Sequence, residues 1–265
     1  MLMEKKIFDI FSAEVSDSVR LKQLREMPSP EMKYIIAMTP RSGTSYLCDV
    51  LKSTGQFGKP DEYMNFDFIP DIIKHVPACN ADEYLEHVFK HMRSKNNYSG
   101  LKVSWFQFLM FKQALSKPFV CNDFKYIYLT RRDLALQAVS LYKATESNVF
   151  HTNVSHSNEE LKRLGFLQYD FEKIQYWYKH ILAQELGWNS FFMEAGITPL
   201  SISYEEIERD IKLVIRRIAV YLGVNVSEIG LSEIKSIFRK IGDRKNLVWS
   251  RRFMIESYDR GFKYV

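Results

Sequence analysis

The chain has 265 residues, of which 46% are hydrophobic and 26% are charged. These proportions are those of an ordinary globular protein, and they exclude disordered, collagen-like and coiled-coil compositions. The length suffices for one large domain or two small ones with a sizeable core. The net charge of +5 is compatible with an anionic ligand or a nucleic-acid surface, but the lysines and arginines are spread along the chain rather than clustered.

The beginning of the chain and its cysteines bear on location. The first residues, MLMEKKIFDIFSAEVSDS, include acidic side chains and no apolar core, unlike a signal peptide. No apolar stretch approaches 18 residues, so we expect no transmembrane segment. Three widely spaced cysteines without a C-x-x-C motif predict reduced thiols rather than a disulfide framework or a metal site. Together these features predict a cytoplasmic protein.

The chain divides into a short N-terminal segment and one main domain. A Pro-Ser-Pro break at 28–30 separates residues 1–32, predicted to be a helical extension, from residues 33–265, predicted to form a single domain. Apolar runs bounded by turn or charged residues predict four buried strands: Tyr34–Met38, a weaker Leu101–Val103, Tyr126–Leu129 and Leu200–Ile202. Helical spacing of apolar residues predicts four longer helices: Thr44–Ser53, Asp133–Lys143, Tyr169–Ala195 and Glu205–Leu222.

The alternation of strands with helices indicates the fold class. It predicts a P-loop-like α/β domain with a central parallel sheet and helices on both faces. Ligands of such sheets bind beyond the carboxyl ends of the strands. We therefore expect the segments 39–45, 130–133 and 203–205, each of which follows a strand, to face one cleft.

The segment TPRSGTS, residues 39–45, follows the first strand and opens the first helix. A helix N-terminus offers unpaired N–H groups and the positive end of the helix dipole, which together bind anions. Gly43 permits a close approach to the backbone, and Arg41 adds a permanent charge. Further hydroxyl donors stand on Ser42, Thr44 and Ser45. The alternative is a capped helix without a ligand, but the position of the loop favours an anion-binding site.

Two other classes of function are compatible with such a loop. A Mg²⁺-dependent small-molecule kinase with a variant P-loop would need a loop lysine and a carboxylate at another strand end. The loop has no lysine, and the strand at 126–129 is followed by Thr-Arg-Arg. A non-catalytic module that binds anions or nucleic acid would account for the basic charge. The missing lysine and carboxylate together favour a phosphate-like ligand that arrives without a metal.

A second basic site follows the third predicted strand, where Arg131 and Arg132 leave the sheet. On the helix after them, Asp133, Gln137 and Ser140 recur at offsets of four and three and therefore share one face. An arginine and a serine in this arrangement are able to hold a second phosphate. Adjacent arginines also form ordinary salt bridges, so a structural role for Arg131 and Arg132 stays open beside a phosphate site.

Four stretches of the sequence resemble the sulfotransferases that use 3′-phosphoadenosine 5′-phosphosulfate (PAPS), most closely the Stf0-type bacterial carbohydrate sulfotransferases. The first, YIIAMTPRSGTSYLCDVLKSTGQFGKPDEYM, combines an R-S-G-[ST]-[ST] loop with a G-x-P-x-E motif. The others are GLKVSWFQ, YIYLTRRDLALQAVSLYKA and GWNSFFMEAGITPLSISYEEI. All four stand in the order of the family, and the resemblance spans residues 33–255.

The resemblance implies where the donor binds. The loop Arg41–Ser45 would hold the 5′-phosphosulfate of PAPS, while Arg131 and Ser140 would hold its 3′-phosphate. Arg132 stands where the family pattern has a proline, so both arginines remain candidates for that contact. Near the C-terminus, GDRKNLVWSRR is similar to the segment that covers the nucleotide, with Arg244 or Lys245 as the contact.

The resemblance also implies a reaction. Glu62 would be the general base that takes the proton of the acceptor hydroxyl, although Asp61 beside it fits equally well by composition. Arg41 would neutralise charge on the leaving phosphate, and the chemistry needs no metal. Lys102 could reach the sulfonate, but a surface lysine fits the sequence equally well. The implied acceptor is a carbohydrate or a glycolipid rather than a nucleic acid, and a homodimer is also implied.

Overall fold

The computed structural model describes residues 10–11, 17–150, 156–230, 234, 236 and 244–262. Four strands are found among them: β1 (Met32–Met38), β2 (Tyr98–Ser104), β3 (Lys125–Thr130) and β4 (Leu200–Ser203). They form one sheet in the order β2-β1-β3-β4, and every neighbouring pair is parallel. Each predicted strand lies within an observed one, so the predicted parallel sheet is confirmed.

The helices alternate with these strands along the chain. They are α1 (Ser18–Glu26), α2 (Thr44–Ser53), α3 (Ile69–Ile72), α4 (Ala81–His91), α5 (Trp105–Ala114), α6 (Leu134–Ser147), α7 (Asn158–Phe166), α8 (Phe171–Glu194), α9 (Tyr204–Arg209), α10 (Ile211–Leu222) and α11 (Arg244–Asp259). Short 3₁₀ turns occupy Cys121–Asp123 and Val226–Glu228. No helix that the structure describes is both long enough and apolar enough to cross a lipid bilayer.

The single helix predicted over residues 205–222 was wrong, because α9 and α10 are separate helices. Asp210 lies between them in a non-helical conformation, and its side chain accepts a hydrogen bond of 3.0 Å from the backbone N–H of Leu213. This bond caps the N-terminus of α10 and stabilises the break. Apolar spacing continues across the break, which is why periodicity alone did not reveal it.

Helices cover both faces of the sheet, as the fold class predicts. On β1, the side chains of Ile35 and Ala37 face one core, in which α4, α5 and α8 also pack. The alternate residues Tyr34, Ile36 and Met38 face the other core, which α2 and α10 complete. This alternation follows from the two-residue period of a strand and buries β1 on both sides.

Two further packing features extend these cores. Helix α1 contributes Leu24, which is fully buried in the core shared by α4 and α5. A third core joins α6, α8 and α11 through residues that include Tyr142, Tyr178 and Phe253. The division of the chain into residues 1–32 and 33–265 stays a prediction.

The register of the sheet determines where a site can form. Met38 of β1 is level with Ser104 of β2 and with Leu129 of β3. Thr130 of β3 is level in turn with Ser203 of β4. The carboxyl ends of all four strands therefore meet at one edge, and the segments that follow them lie side by side.

Candidate active site

The predicted anion-binding segment forms a tight loop between β1 and α2. Arg41 and Gly43 both have left-handed backbone conformations, with φ of +67° and +85°. A Cβ atom on Gly43 would lie only 2.7 Å from Cδ2 of Tyr204, so glycine is needed here for space as well as for conformation. Since α2 begins at Thr44, its first N–H groups lack partners within the helix and stand at the ligand edge of the sheet.

The buried side chains of Ser42 and Gln137 hold this loop in shape by hydrogen bonds. The Ser42 hydroxyl donates to the carbonyl of Thr39 (2.8 Å) and lies 2.9 Å from Oγ1 of Thr44. Gln137 of α6 donates from Nε2 to Oγ1 of Thr39 (2.8 Å) and to the carbonyl of Pro40 (2.7 Å). The side chain of the predicted ligand residue Ser42 is thus fully buried, where it maintains the shape of the loop.

Two arginines lie side by side next to the loop. Arg41 donates from Nε to Oγ of Ser140 (3.2 Å) and from Nη1 to the carbonyl of Phe150. Burial, and then the nearby charge of Arg131, lower the pKa of Arg41 to about 10. Arg131 donates to the carbonyl of Arg41 (3.3 Å), and its guanidinium carbon lies 4.5 Å from the centre of the Tyr204 ring. Like charges buried together are costly unless an anion compensates them.

The second arginine also retains an unused donor. Nε of Arg131 is buried and has no hydrogen-bond partner among the described residues. Such a donor is unusual in a folded protein and fits a site that a ligand completes. The neighbouring Arg132 is exposed, and its backbone N–H donates to the carboxylate of Glu205 at 3.2 and 3.3 Å. Of the two candidate arginines, Arg131 is the one that lines the cleft described below.

A buried lysine joins the loop to the G-x-P-x-E segment. Lys102 of β2 is only 4% exposed, and its Nζ donates to Oγ of Ser45 (3.0 Å). The same nitrogen lies 3.2 Å from Oε1 of Glu62 and 3.6 Å from Oδ1 of Asp61. Burial by itself would lower the pKa of Lys102, but Glu62, Cys48 and Asp61 together outweigh it, and the pKa is raised. Lys102 is therefore a charged group at neutral pH.

The two carboxylates of this segment have different surroundings. Burial would raise the pKa of Asp61, but Lys102 and Lys52 (2.7 Å away) outweigh it, and the pKa is lowered. Glu62 accepts hydrogen bonds at Oε2 from the side-chain amides of Asn65 (3.1 Å) and Gln107 (3.3 Å). Glu62 lines the cleft together with both amides, whereas Asp61 pairs with the two lysines.

The loop, Arg131 and Glu62 line one cleft at the carboxyl edge of the sheet, with a volume of about 1480 Å³. The predicted site residues that line the cleft are Arg41, Gly43, Thr44, Ser45, Glu62, Arg131, Ser140 and Arg244. Arg244 lies at the first position of α11 and is exposed. Among the described residues, no three His, Cys, Asp or Glu side chains form a group able to hold a metal ion.

Several residues of the site were missed or undervalued in the sequence. Lys102 fits a surface lysine by sequence, yet its ion pairs allow it to be buried within a strand. Gln107 carries a readable signal, because it closes a capping box with Ser104 at the start of α5. Tyr204 carries none, since its contact with Gly43 depends on how β4 lies in the sheet.

The fold and the cleft define an α/β protein whose cleft, lined by arginines and helix N–H groups, suits an anionic ligand. The chain belongs to the Stf0 sulphotransferase family, whose model matches residues 33–256. It is thus a sulfotransferase, an enzyme that transfers a sulfuryl group. The family and the enzyme class predicted from the sequence are confirmed, in preference to the kinase and the non-catalytic module.

Similar proteins include two mycobacterial enzymes named trehalose 2-sulfotransferase. The one from Mycobacterium tuberculosis (strain ATCC 35801 / TMC 107 / Erdman) is 23% identical over 72% of this chain and 84% of its own length. The one from Mycolicibacterium smegmatis (strain ATCC 700084 / mc(2)155) is 22% identical over 83% of this chain and 93% of its own length.

Two solved sulfotransferase structures are also similar at low identity. A mouse sulfotransferase complexed with PAP, the desulfated product of PAPS, has a TM-score of 0.38 and 17% identity, covering 93% of this chain and 73% of that one. A sulfotransferase from Alicyclobacillus acidocaldarius has a TM-score of 0.37 and 15% identity, covering 94% of this chain and 91% of that one.

Proposed function

We propose that this sulfotransferase takes its sulfuryl group from PAPS and passes it to a hydroxyl of a carbohydrate or glycolipid, with Glu62 as the general base. The names of the two mycobacterial relatives, which specify trehalose, support a carbohydrate acceptor. The anion-binding loop, the partly buried Arg41 and the buried Arg131 support a donor that carries several phosphate-like charges.

The donor would lie across the loop and the arginine pair. The backbone N–H groups at the start of α2, with the hydroxyls of Thr44 and Ser45, would hold the 5′-phosphosulfate. Arg131 and Ser140 would hold the 3′-phosphate, and the unused Nε of Arg131 fits that role. Arg41, which already contacts Ser140, would lie between the two groups and neutralise both. Arg244 is the proposed contact at the open side of the cleft.

The transfer is a displacement at sulfur in which the protein positions the reactants and balances charge. Glu62 takes the proton of the acceptor hydroxyl, whose oxygen then forms a bond to sulfur. The bond between sulfur and the bridging phosphate oxygen breaks, and its electron pair stays on PAP. The leaving phosphate gains charge in this step, which Arg41 and the N–H groups of the loop stabilise.

One observation carries this proposal. Nζ of Lys102 lies 3.0 Å from Oγ of Ser45 and 3.2 Å from Oε1 of Glu62. A single buried cation therefore connects the loop proposed for the donor with the carboxylate proposed for the acceptor. This spacing suits a reaction in which a sulfuryl group crosses from one to the other.

The direct test is transfer of label from ³⁵S-labelled PAPS to trehalose, other sugars and glycolipids, with phenols and simple alcohols as non-carbohydrate acceptors. We expect at least one carbohydrate-containing acceptor to be labelled on a hydroxyl. Label that appears only on non-carbohydrate acceptors would overturn the assignment of the acceptor class.

Replacing the proposed base tests the role of Glu62. We expect Glu62→Gln to lower kcat by about 10²–10⁴-fold while the affinity for PAP is retained, because the amide cannot take a proton. Glu194→Gln, at the exposed C-terminal end of α8, is the matched control. Wild-type turnover in Glu62→Gln would remove Glu62 from the reaction.

The choice of donor is tested by calorimetry. We expect PAP to bind in the presence of EDTA and to bind more tightly than ATP with Mg²⁺. Preference for ATP with Mg²⁺ would contradict PAPS as the donor.

A further inference from the structure

We infer that Asn65 and Gln107 are positioning residues that fix one carboxylate oxygen of Glu62 and leave the other, Oε1, to receive the proton of the acceptor. The inference rests on the proposed role of Glu62 as the base. It adds which oxygen reacts and which side chains select it.

The side-chain amide of Asn65 forms one hydrogen bond with the backbone and one with Glu62. Its Oδ1 accepts a hydrogen bond from the backbone N–H of Asp67 (3.1 Å), which shapes the turn after Glu62. Its Nδ2 donates to Oε2 of Glu62 (3.1 Å). Since a backbone N–H only donates, the amide oxygen must face Asp67, and the orientation of the amide is fixed.

The side-chain amide of Gln107, on α5, likewise forms one hydrogen bond with the backbone and one with Glu62. Its Oε1 accepts a hydrogen bond of 3.0 Å from the backbone N–H of Ser104 and so completes the capping box of α5. Its Nε2 donates to Oε2 of Glu62 (3.3 Å). The orientation of this amide is fixed by the same reasoning, because the Ser104 N–H requires an acceptor.

The two oxygens of Glu62 are consequently different. Oε2 accepts from two amides, which use both of its lone-pair directions, whereas the described contact of Oε1 is Nζ of Lys102 at 3.2 Å. Because a carboxylate oxygen accepts about two hydrogen bonds, Oε1 retains one position for the acceptor hydroxyl. The proton moves to Oε1, and the electron pair of the broken O–H bond remains on the acceptor oxygen that attacks sulfur.

Replacing each amide by the corresponding acid tests its hydrogen bond to Glu62 separately from its hydrogen bond to the backbone. Asn65→Asp and Gln107→Glu keep the oxygen that accepts from the backbone, but they lose the donor to Glu62 and place a second negative charge beside it. That charge favours the protonated base, so we expect the acid limb of the pH profile of kcat/KM to move up by about one unit or more. The loss of activity should be largest at low pH, with the affinity for PAP unchanged.

Gln23→Glu provides the matched control, because it makes the same chemical change on an exposed residue of α1. Its pH profile should be that of the wild type. Should an acid variant fail to fold, Gln107→Met removes the donor to Glu62, together with the acceptor for the Ser104 N–H, without adding charge. It is expected to lower kcat at an unchanged KM for PAPS. A wild-type profile in both acid variants, or a loss that is uniform across pH, would overturn the inference.

The inference and the proposed function fail in different ways. If Glu62→Gln is fully active, then Glu62 is not the base, and the positioning of its oxygens has no catalytic meaning. If Glu62→Gln is inactive while the acid variants keep the wild-type profile, the base stands and only the positioning by the amides is rejected.

Discussion

Arg131 has the features of a ligand-binding residue, and its neighbour Arg132 lacks them. Its neighbour Arg132 has the same chemistry and adjoins it in sequence, so composition does not separate them. Burial, an unused Nε and contact with Arg41 distinguish Arg131. The sequence predicted a phosphate contact at this strand end, and the packing of the chain indicates which arginine would make it.

We expect Arg131→Ala to weaken binding of PAP by about 10- to 150-fold, since a hydrogen bond to a charged group contributes about 1.5–3 kcal/mol. The loss should be much smaller for AMP, which lacks the 3′-phosphate, because the contact proposed for Arg131 is to that group. Isothermal titration with both nucleotides measures the difference. Arg132→Ala is the control and should bind PAP as the wild type does; an equal loss for both nucleotides would contradict the assignment.

Lys102 links stability to pH through its raised pKa. Its ion pairs stabilise the folded state fully below the pKa of an unfolded lysine, about 10.4, and this contribution is lost as the pH rises through the higher pKa of the folded protein. We expect Lys102→Met to lower the free energy of unfolding by about 1–3 kcal/mol at pH 7, because Glu62 and Asp61, which are only partly buried, lose a charged partner. The difference from the wild type should shrink above pH about 10.5.

Urea denaturation between pH 7 and 11.5 measures this difference. Lys22→Met serves as the control, since Lys22 is exposed and its described ion pair, with Glu26, is long (3.9 Å). A difference between wild type and Lys102→Met that stays constant up to pH 11.5 would show that the pairing does not act through the charge of Lys102.

At the scale of elements, the loop between β1 and α2 depends on Gly43 for two separate reasons. Its φ of +85° is costly for any residue with a side chain, and a Cβ atom would meet the Tyr204 ring. Gly55 has a similar φ of +70°, but nothing lies within 4 Å of a Cβ placed there. The two glycines therefore separate the conformational cost from the steric cost.

We expect Gly55→Ala to lower the free energy of unfolding by about 1–2 kcal/mol, the cost of a left-handed conformation. Gly43→Ala should cost more than this and should also weaken PAP binding, since the loop must move away from Tyr204. Denaturation and calorimetry on both variants measure these effects. Equal costs for both, with PAP binding unchanged, would show that the Tyr204 ring moves aside freely.

The elements also show what the sequence could and could not reveal. Buried parallel strands are nearly continuous apolar runs, so β1 and β3 were readable, and the anion-binding loop was readable because it is contiguous. The contact of Glu62 with Lys102 was not readable, since it joins residues 40 positions apart. The backbone N–H of Lys102 donates to the carbonyl of Asp61 (3.0 Å) and holds this segment against β2. Sequence indicated each half of the site, and the register of the sheet brings the halves together.

At the scale of the whole molecule, α1 lies in the same core as the sheet. Leu24 is fully buried there, while Val19 of the same helix is 69% exposed. We expect Leu24→Ala to lower the free energy of unfolding by about 2–5 kcal/mol, the cost of a cavity, and Val19→Ala to have little effect. A single unfolding transition shifted as a whole would make α1 part of the domain.

The opposite result is equally informative for residues 1–32. If Leu24→Ala leaves the main transition unchanged, the segment unfolds separately and is an independent extension. The implied homodimer is a further prediction at this scale, and sedimentation velocity of the wild type tests it.

Lys102 also couples the binding of the two substrates. A single ammonium group contacts both Ser45, on the loop proposed for the donor, and Glu62, which is proposed to face the acceptor. A sulfonate at the loop would compete for this ammonium and change how strongly Glu62 attracts a hydroxyl proton. By linkage, the donor then alters the affinity for the acceptor by the same factor as the acceptor alters the affinity for the donor. The cooperativity between the two substrates would thus depend on one buried nitrogen atom.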